Sequence, residues 1–263
     1  MNDAVLLVEE LHRGVLLVTL NRPESRNALS LDLLERLRTT VNEAQSSVNV
    51  RAIVLRGAGD KAFSAGFDLG DIKEKGSSAD EALLLSTLDS VQQCSIPTIA
   101  VIDGYCIGAG LELAMCCDIR VASTRSRFCM PPARLGAVYS PQGMIRFISV
   151  MGLSWTRYLL LTAEVIDSEK ALTMGIVHEI TGVESIQSRG LELGRRTADE
   201  LAPLSIAGTK HILGTIDQSA LRSVLIDHGI EFQEVVSRAM QSDDLLEGLS
   251  AIQDRRLPNF TGK

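Results

Sequence analysis

The stretch Pro97–Ala122, PTIAVIDGYCIGAGLELAMCCDIRVA, constrains the fold of this chain more than any other. Thr98–Asp103 is a short apolar run behind a proline, which suits a strand buried on both faces. Gly104–Gly110 is a glycine-rich turn. Leu111–Cys117 is apolar and helix-compatible, interrupted only by Glu112, and Ile119–Ala122 reads as another strand. The order is therefore strand, turn, helix, strand, the pattern of an α/β fold.

The same stretch has a chemical reading. The first backbone N–H groups of a helix lack an intrahelical partner and can bind an anion. Glycines let a ligand approach that backbone closely. Glu112 then stands within one turn of the free donors. Donors and a carboxylate side by side suit a reaction in which negative charge develops on a carbonyl oxygen. The bland alternative is a plain strand-to-helix turn with Glu112 paired to an arginine. GYCIGAG matches neither the dinucleotide nor the P-loop fingerprint.

A chain of 263 residues allows one large domain or a domain with an appendage. The net charge of −7 argues against a nucleic-acid binder that works by general positive charge, and leaves local basic contacts to a phosphorylated ligand open. No apolar run approaches the roughly 20 residues of a membrane span. MNDAVLLVEELHRG has acids and no basic n-region, so a secretory signal is not expected and a cytoplasmic location is. Cys94, Cys106, Cys116, Cys117 and Cys129 are expected as free thiols in the core. His12, His178, His211 and His228 are too dispersed to suggest a metal site.

Along the chain, Val5–Glu9 and Val15–Leu20 predict a β-hairpin around His12-Arg13-Gly14. Ser30 is placed as an N-cap, followed by Leu31, Leu33, Leu34, Leu37 and Val41 at helical spacing. Arg51–Arg56 predicts a strand. Asp71–Asp80 is read as a surface loop and a plausible lid, and Ala82–Val91 as a helix. Arg125–Tyr139 is irregular, since Pro131-Pro132 forbids regular helix. Gly143–Met151 and Ser154–Leu161 predict two helices broken at Gly152. Ser168–Met174 is a short helix capped by Ser168, and Ile176–Ile180 a last strand. Beyond Glu184 the pattern is helical, over Ile186–Leu201, Pro203–Thr215, Leu221–Arg238 and Asp243–Arg256.

NRPESRNALS at Asn21–Ser30, AFSAGFDL at Ala62–Leu69 and DGYCIGAGLELAMCCDIRVAS at Asp103–Ser123 occur in that order. PPARLGAVYSPQG at Pro131–Gly143, LLTAEVIDSEKALTMGIVHEI at Leu160–Ile180 and EGLSAIQDRRLPNF at Glu247–Phe260 follow. In order and spacing the chain resembles the crotonase superfamily, the enoyl-CoA hydratase/isomerase group. The resemblance implies an α/β spiral of ββα units, taken here as residues 1–195. A helical C-terminal region, 196–263, would form homotrimers or hexamers built as dimers of trimers. It implies an acyl-CoA thioester substrate and no resident cofactor, coenzyme A being part of the substrate. Neither nucleic acid nor a membrane is implied as a partner.

By motif matching, the resemblance places the oxyanion-hole amides at Ala65 and Ala109 and an acid/base at Glu112. It implies a catalytic tyrosine at Tyr139. Around the substrate it implies Arg26, Ala62, Phe63, Phe67, Asp68, Leu69, Gly108, Pro132, Leu135, Ser140 and Gln142. Arg22, Arg255 and Arg256 are further candidates for the phosphates of CoA. The chain departs from the two-glutamate hydratases where Pro132 stands at the place of their second glutamate, a change that also touches isomerases relying on it. The segment PPARLGAVYS is similar to that of methylmalonyl-CoA decarboxylase-like members, which have a histidine where this chain has Phe67. Hydratase/isomerase chemistry is thus the first expectation. A decarboxylase, a non-catalytic CoA-binding scaffold and, more weakly, a hydrolase are the alternatives.

Overall fold

The strands come in pairs, and from the third strand on the two members of a pair join different sheets. The computed structural model describes residues 4–11, 14–68 and 78–262, with the backbone alone at 78 and over 217–225. β1 (Leu6–Leu11) and β2 (Val15–Leu20) form the expected antiparallel hairpin, from Leu6 opposite Leu20 to Leu11 opposite Val15. β3 (Ala52–Gly57) and β4 (Ala62–Ser64) follow, then β5 (Thr98–Ile102) and β6 (Tyr105–Ile107). β7 (Ile119–Ser123) and β8 (Arg127–Cys129) form the next pair, and β9 (Ile166–Asp167) and β10 (Glu179–Thr181) complete the set.

One sheet has the order β1-β2-β3-β5-β7-β10 and is parallel from β2 onward. The other has the order β4-β6-β8-β9. Each ββα turn therefore advances both sheets by one strand, which is the spiral the sequence implies. The central strands are apolar runs because both of their faces are covered. All residues of β2 and β5 are buried.

Eight helices are described: α1 (Leu31–Ser46), α2 (Ser78–Gln92), α3 (Ala109–Cys116), α4 (Pro141–Thr162), α5 (Ser168–Thr173), α6 (Ile186–Glu200), α7 (Pro203–Met240) and α8 (Asp243–Gln253). Ser30 caps α1 as expected, its hydroxyl accepting from the Leu33 N–H. The core of the large sheet joins Val15, Leu17, Val54, Ile99, Val101 and Val121 to Ile186 and Ala198 of α6. The five cysteines are free and buried, as their composition and context suggest.

Several local expectations change. The glycine turn after Asp103 contains a strand, β6, and the irregular stretch after Arg125 contains β8 and a 3-10 turn at Pro132–Leu135. Asp167, not Ser168, caps α5, accepting from the Lys170 N–H at 2.9 Å. The two helices expected over Pro203–Arg238 are one, α7. Of the loop expected at Asp71–Asp80, Ser78–Asp80 open α2 and the remainder lies outside the described residues.

The chain forms two compact units that interleave in sequence. The first is 1–128 with 166–214, and holds the large sheet and all of the small one but Cys129. The second is 129–165 with 215–263, and holds the 3-10 turn, α4 and α8.

Candidate active site

In the first unit, β4 and β6 are parallel neighbours, with Ala62 opposite Tyr105 and Ser64 opposite Cys106. The segments that leave their carboxyl ends, 65–67 and 108–110, therefore emerge side by side. This is the end of a parallel sheet at which α/β proteins place ligands. The contact is backbone to backbone. A Cβ on Gly66 would stand 2.9 Å from Ile107 O and 3.5 Å from Ala109 N, and one on Gly110 would stand 2.6 Å from the Ser64 side chain. Gly66 (φ 99°) and Gly108 (φ 55°, ψ −126°) also hold backbone that side chains disfavour.

Accounting for the amides one by one locates the donors. The Ala65 N–H donates to Arg26 O at 2.9 Å, and the Gly66 N–H to Ser64 Oγ at 3.2 Å. Phe67 pairs with Leu29 in a parallel bridge, through Leu29 N–H to Gly66 O at 2.8 Å and Asp68 N–H to Leu29 O at 3.1 Å. That register turns Phe67's own N–H away from Leu29. It has no acceptor among the described residues. Across the gap, Ala109 opens α3 behind Gly108, which supplies no side-chain cap. The first acceptance within the helix is Gly108 O from Glu112 N–H at 3.0 Å, so the Ala109 N–H is among the orphans of the first turn. Ala109 is absent from the positive-φ residues, because Gly108 absorbs the turn. Of the two amides expected in the oxyanion hole, that of Ala65 is thus engaged within the chain by Arg26 O, and that of Ala109 lies in the first turn of α3.

Glu112 lies three residues after Ala109, on the same face of α3, and is 1% exposed. Ala62 and Phe63 are buried in β4, so their side chains belong to the core. Asp68 is held by Arg22 Nη1 at 2.7 Å, a donor that also reaches Ala28 O at 2.7 Å. Arg22 thus ties Asp68 to the loop between β2 and α1. Arg26 is exposed, with φ 53°, and Leu69 lies outside the described residues.

Sequence reasoning missed Asn27. It is fully buried in a left-handed conformation, accepts from Arg22 N–H at 3.0 Å, and donates to Ala58 O at 2.9 Å and Ala62 O at 2.7 Å. The signal was present as the second asparagine of NRPESRNALS, set before an apolar pair, but its partners are 31 and 35 residues away.

In the second unit, Pro132 is buried at the start of the 3-10 turn, and Leu135 ends it half-buried. Ser140 is the N-cap of α4, with Oγ accepting from Gly143 N–H at 3.1 Å, so its hydroxyl has a structural task the sequence reading did not give it. Tyr139 is half-buried, meets Phe147 edge-to-face with ring centroids 6.2 Å apart, and lies over Gly143. Gln142 is half-buried in the first turn of α4. Arg256 is engaged by Glu247 at 2.5 Å.

The model of the family described as enoyl-CoA hydratase/isomerase matches residues 10–263. A probable enoyl-CoA hydratase, echA6, of Mycobacterium tuberculosis is 35% identical over 251 residues, covering 95% of this chain and 96% of the relative. The 2,3-dehydroadipyl-CoA hydratase of Escherichia coli is 31% identical over 265 residues, covering 98% and 99%. Among solved structures, methylmalonyl-CoA decarboxylase in complex with 2-nitronate-propionyl-CoA superposes with a TM-score of 0.90 at 27% identity, over 99% of each chain.

Proposed function

The chain belongs to the enoyl-CoA hydratase/isomerase family, and from that premise we propose that it activates acyl-CoA thioesters by holding the thioester oxygen between the Phe67 and Ala109 amides. The observation that carries this reading is the amide accounting. Of four consecutive N–H groups, those of Ala65, Gly66 and Asp68 are occupied, and that of Phe67 is left beside the N-terminus of α3. As a proton or another group moves at the α or β carbon, charge grows on the thioester oxygen and both donors bind it more strongly. Each is worth about 3 kcal/mol of barrier, and the dipole of α3 adds to the same sign.

Glu112 is the acid/base of this proposal. On the face of α3 that carries Ala109, it moves the proton to or from the substrate carbon while the amides hold the enolate. With Pro132 in place of a second carboxylate, hydration has to run through this one group, which first takes a proton from water and then delivers it to the α-carbon. Tyr139 is proposed as an active-site hydroxyl on the resemblance, and Tyr139→Phe tests it. Trimer or hexamer assembly through the C-terminal helices is part of the same proposal. Large apolar residues exposed there, among them Leu204, Ile226 and Ile230, support it.

A mass-spectrometric turnover screen with enoyl-, 3-enoyl- and methylmalonyl-CoA tests the reading. The wild-type protein is expected to hydrate or isomerise an enoyl ester, and Glu112→Gln to lose roughly 100-fold or more. Turnover undiminished in the variant contradicts the role of Glu112, and no turnover of any ester supports a binding scaffold instead.

Decarboxylation is the second reading, favoured by the 0.90 superposition on methylmalonyl-CoA decarboxylase and by Pro132. It needs the oxyanion pocket and no strong base. Loss of CO₂ from methylmalonyl-CoA, kept in Glu112→Gln, selects it.

A further inference from the structure

We infer that Ser64 and Asn27 are positioning residues that aim the Phe67 amide, an inference that rests on the reading of Phe67 and Ala109 as the oxyanion pocket. Neither side chain is required there by the chemistry itself. Both are fully buried. Both hold the short segment between β4 and Phe67 from opposite ends.

Ser64 is the last residue of β4, and its hydroxyl accepts the Gly66 N–H two residues on. That bond fixes the tilt of the peptide just before the one that carries Phe67 N–H. Ser64 is also the surface on which Gly110 rests, since a Cβ on Gly110 would stand 2.6 Å from both Ser64 Cβ and Oγ. One side chain thus sets the direction of one donor and the distance to the helix that carries the other.

Asn27 works one step further out. Its amide donates to Ala62 O in β4 and to Ala58 O in the preceding turn, and its oxygen takes the Arg22 N–H. The neighbouring Arg26 O receives the Ala65 N–H. Asn27 therefore holds the 22–28 loop against the start of the 62–67 segment, and this loop occupies the amide that would otherwise compete with Phe67 for the oxygen. An oxyanion donor stabilises charge only while it is aimed at the atom that carries it, and a shift of about 1 Å is enough to lose roughly 100-fold in rate.

Ser64→Ala deletes the acceptor for Gly66 N–H and adds no atom. Asn27→Asp keeps the acceptor for Arg22 N–H and replaces the donors to Ala58 O and Ala62 O with a carboxylate oxygen. Two readouts separate positioning from mere support of the fold. The first is kcat and KM for whichever of crotonyl-, 3-enoyl- and methylmalonyl-CoA the wild-type protein turns over fastest. The second is the infrared carbonyl stretch of carbonyl-¹³C butyryl-CoA bound to each protein.

In wild type the carbonyl band is expected to move to lower wavenumber on binding. In Ser64→Ala kcat is expected to fall roughly 10- to 100-fold with KM within about twofold, and part of the band shift to be lost. Asn27→Asp is expected to do the same where it folds; where it does not, Ser64→Ala decides. A Ser64→Ala protein with lowered melting temperature but unchanged kcat and unchanged carbonyl shift overturns the inference. A wild-type protein that binds the ester with no carbonyl shift overturns the reading of the pocket itself, and the positioning role with it.

Discussion

Ala65 and Phe67 are two residues apart in SAGF, and only the partners of their amides tell them apart. A β-type backbone sends alternate N–H groups to opposite sides. Arg26 O takes the Ala65 N–H, and the Leu29 bridge takes the groups on either side of Phe67. Nothing local to the motif encodes those acceptors, because they lie about 40 residues earlier. The helix behind the glycine turn, with Glu112 in its first turn, was legible, and the orphan amides of its N-terminus follow from the helix alone. Gly66→Ala puts a methyl 2.9 Å from Ile107 O at φ 99°, so it is expected to cost about 1–3 kcal/mol and to lower kcat at least tenfold; urea unfolding and steady-state kinetics check both. Asp103 closes the turn between β5 and β6. Burial opposes its charge, but Arg125, at 2.8 and 2.5 Å, and Ser123 Oγ, at 2.7 Å, outweigh burial and hold its carboxyl below the ordinary value. A carboxyl depressed in the folded state adds stability above its unfolded pKa of about 3.9 and loses it as pH falls through the folded value. Asp103→Asn is therefore expected to lose about 1 kcal/mol at pH 7 and to flatten the acid limb below about pH 4 in pH-resolved thermal melts.

Elements with enough length announce themselves, and short ones do not. The six residues of β2 were placed to the residue, because a run apolar except for Thr19 and bounded by turn residues has few other homes. β6, β8 and β9, of three, three and two residues, carry no period to read, and their strand character comes from neighbours in the small sheet. The break in α4 was legible for the opposite reason. Gly152 sits at φ 74°, ψ 164°, a conformation close to glycine-only, with nothing within 4 Å of where a Cβ would be. The cost of a side chain there is thus backbone strain without a clash. Gly152→Ala is expected to destabilise the protein by about 1–3 kcal/mol, and a stabilised variant in chemical denaturation would refute the assigned kink. At the start of α1, Ser30→Ala removes the acceptor for Leu33 N–H and is expected to cost about 1 kcal/mol in the same denaturation.

At the scale of the molecule, the spiral arises because each ββα turn feeds one strand to each sheet, which is why segments distant in sequence, 64–67 and 107–110, leave adjacent strands together. The order of motifs conveyed that architecture, whereas the division into interleaved units did not follow from any composition shift. Leu204, Ile226, Ile230 and Leu257 are each more than 80% exposed in the single chain. Burying a side chain of this kind is worth about 2 kcal/mol, so light scattering is expected to give a mass of three or six chains; the mass of one chain would contradict the assembly. A crystal structure with a bound, unreactive acyl-CoA thioester shows where its oxygen lies. The thioester oxygen is expected within about 2.7–3.1 Å of both Phe67 N and Ala109 N, with Ala65 N–H still on Arg26 O. A thioester oxygen bound to Ala65 N–H, or lying away from α3, would contradict it.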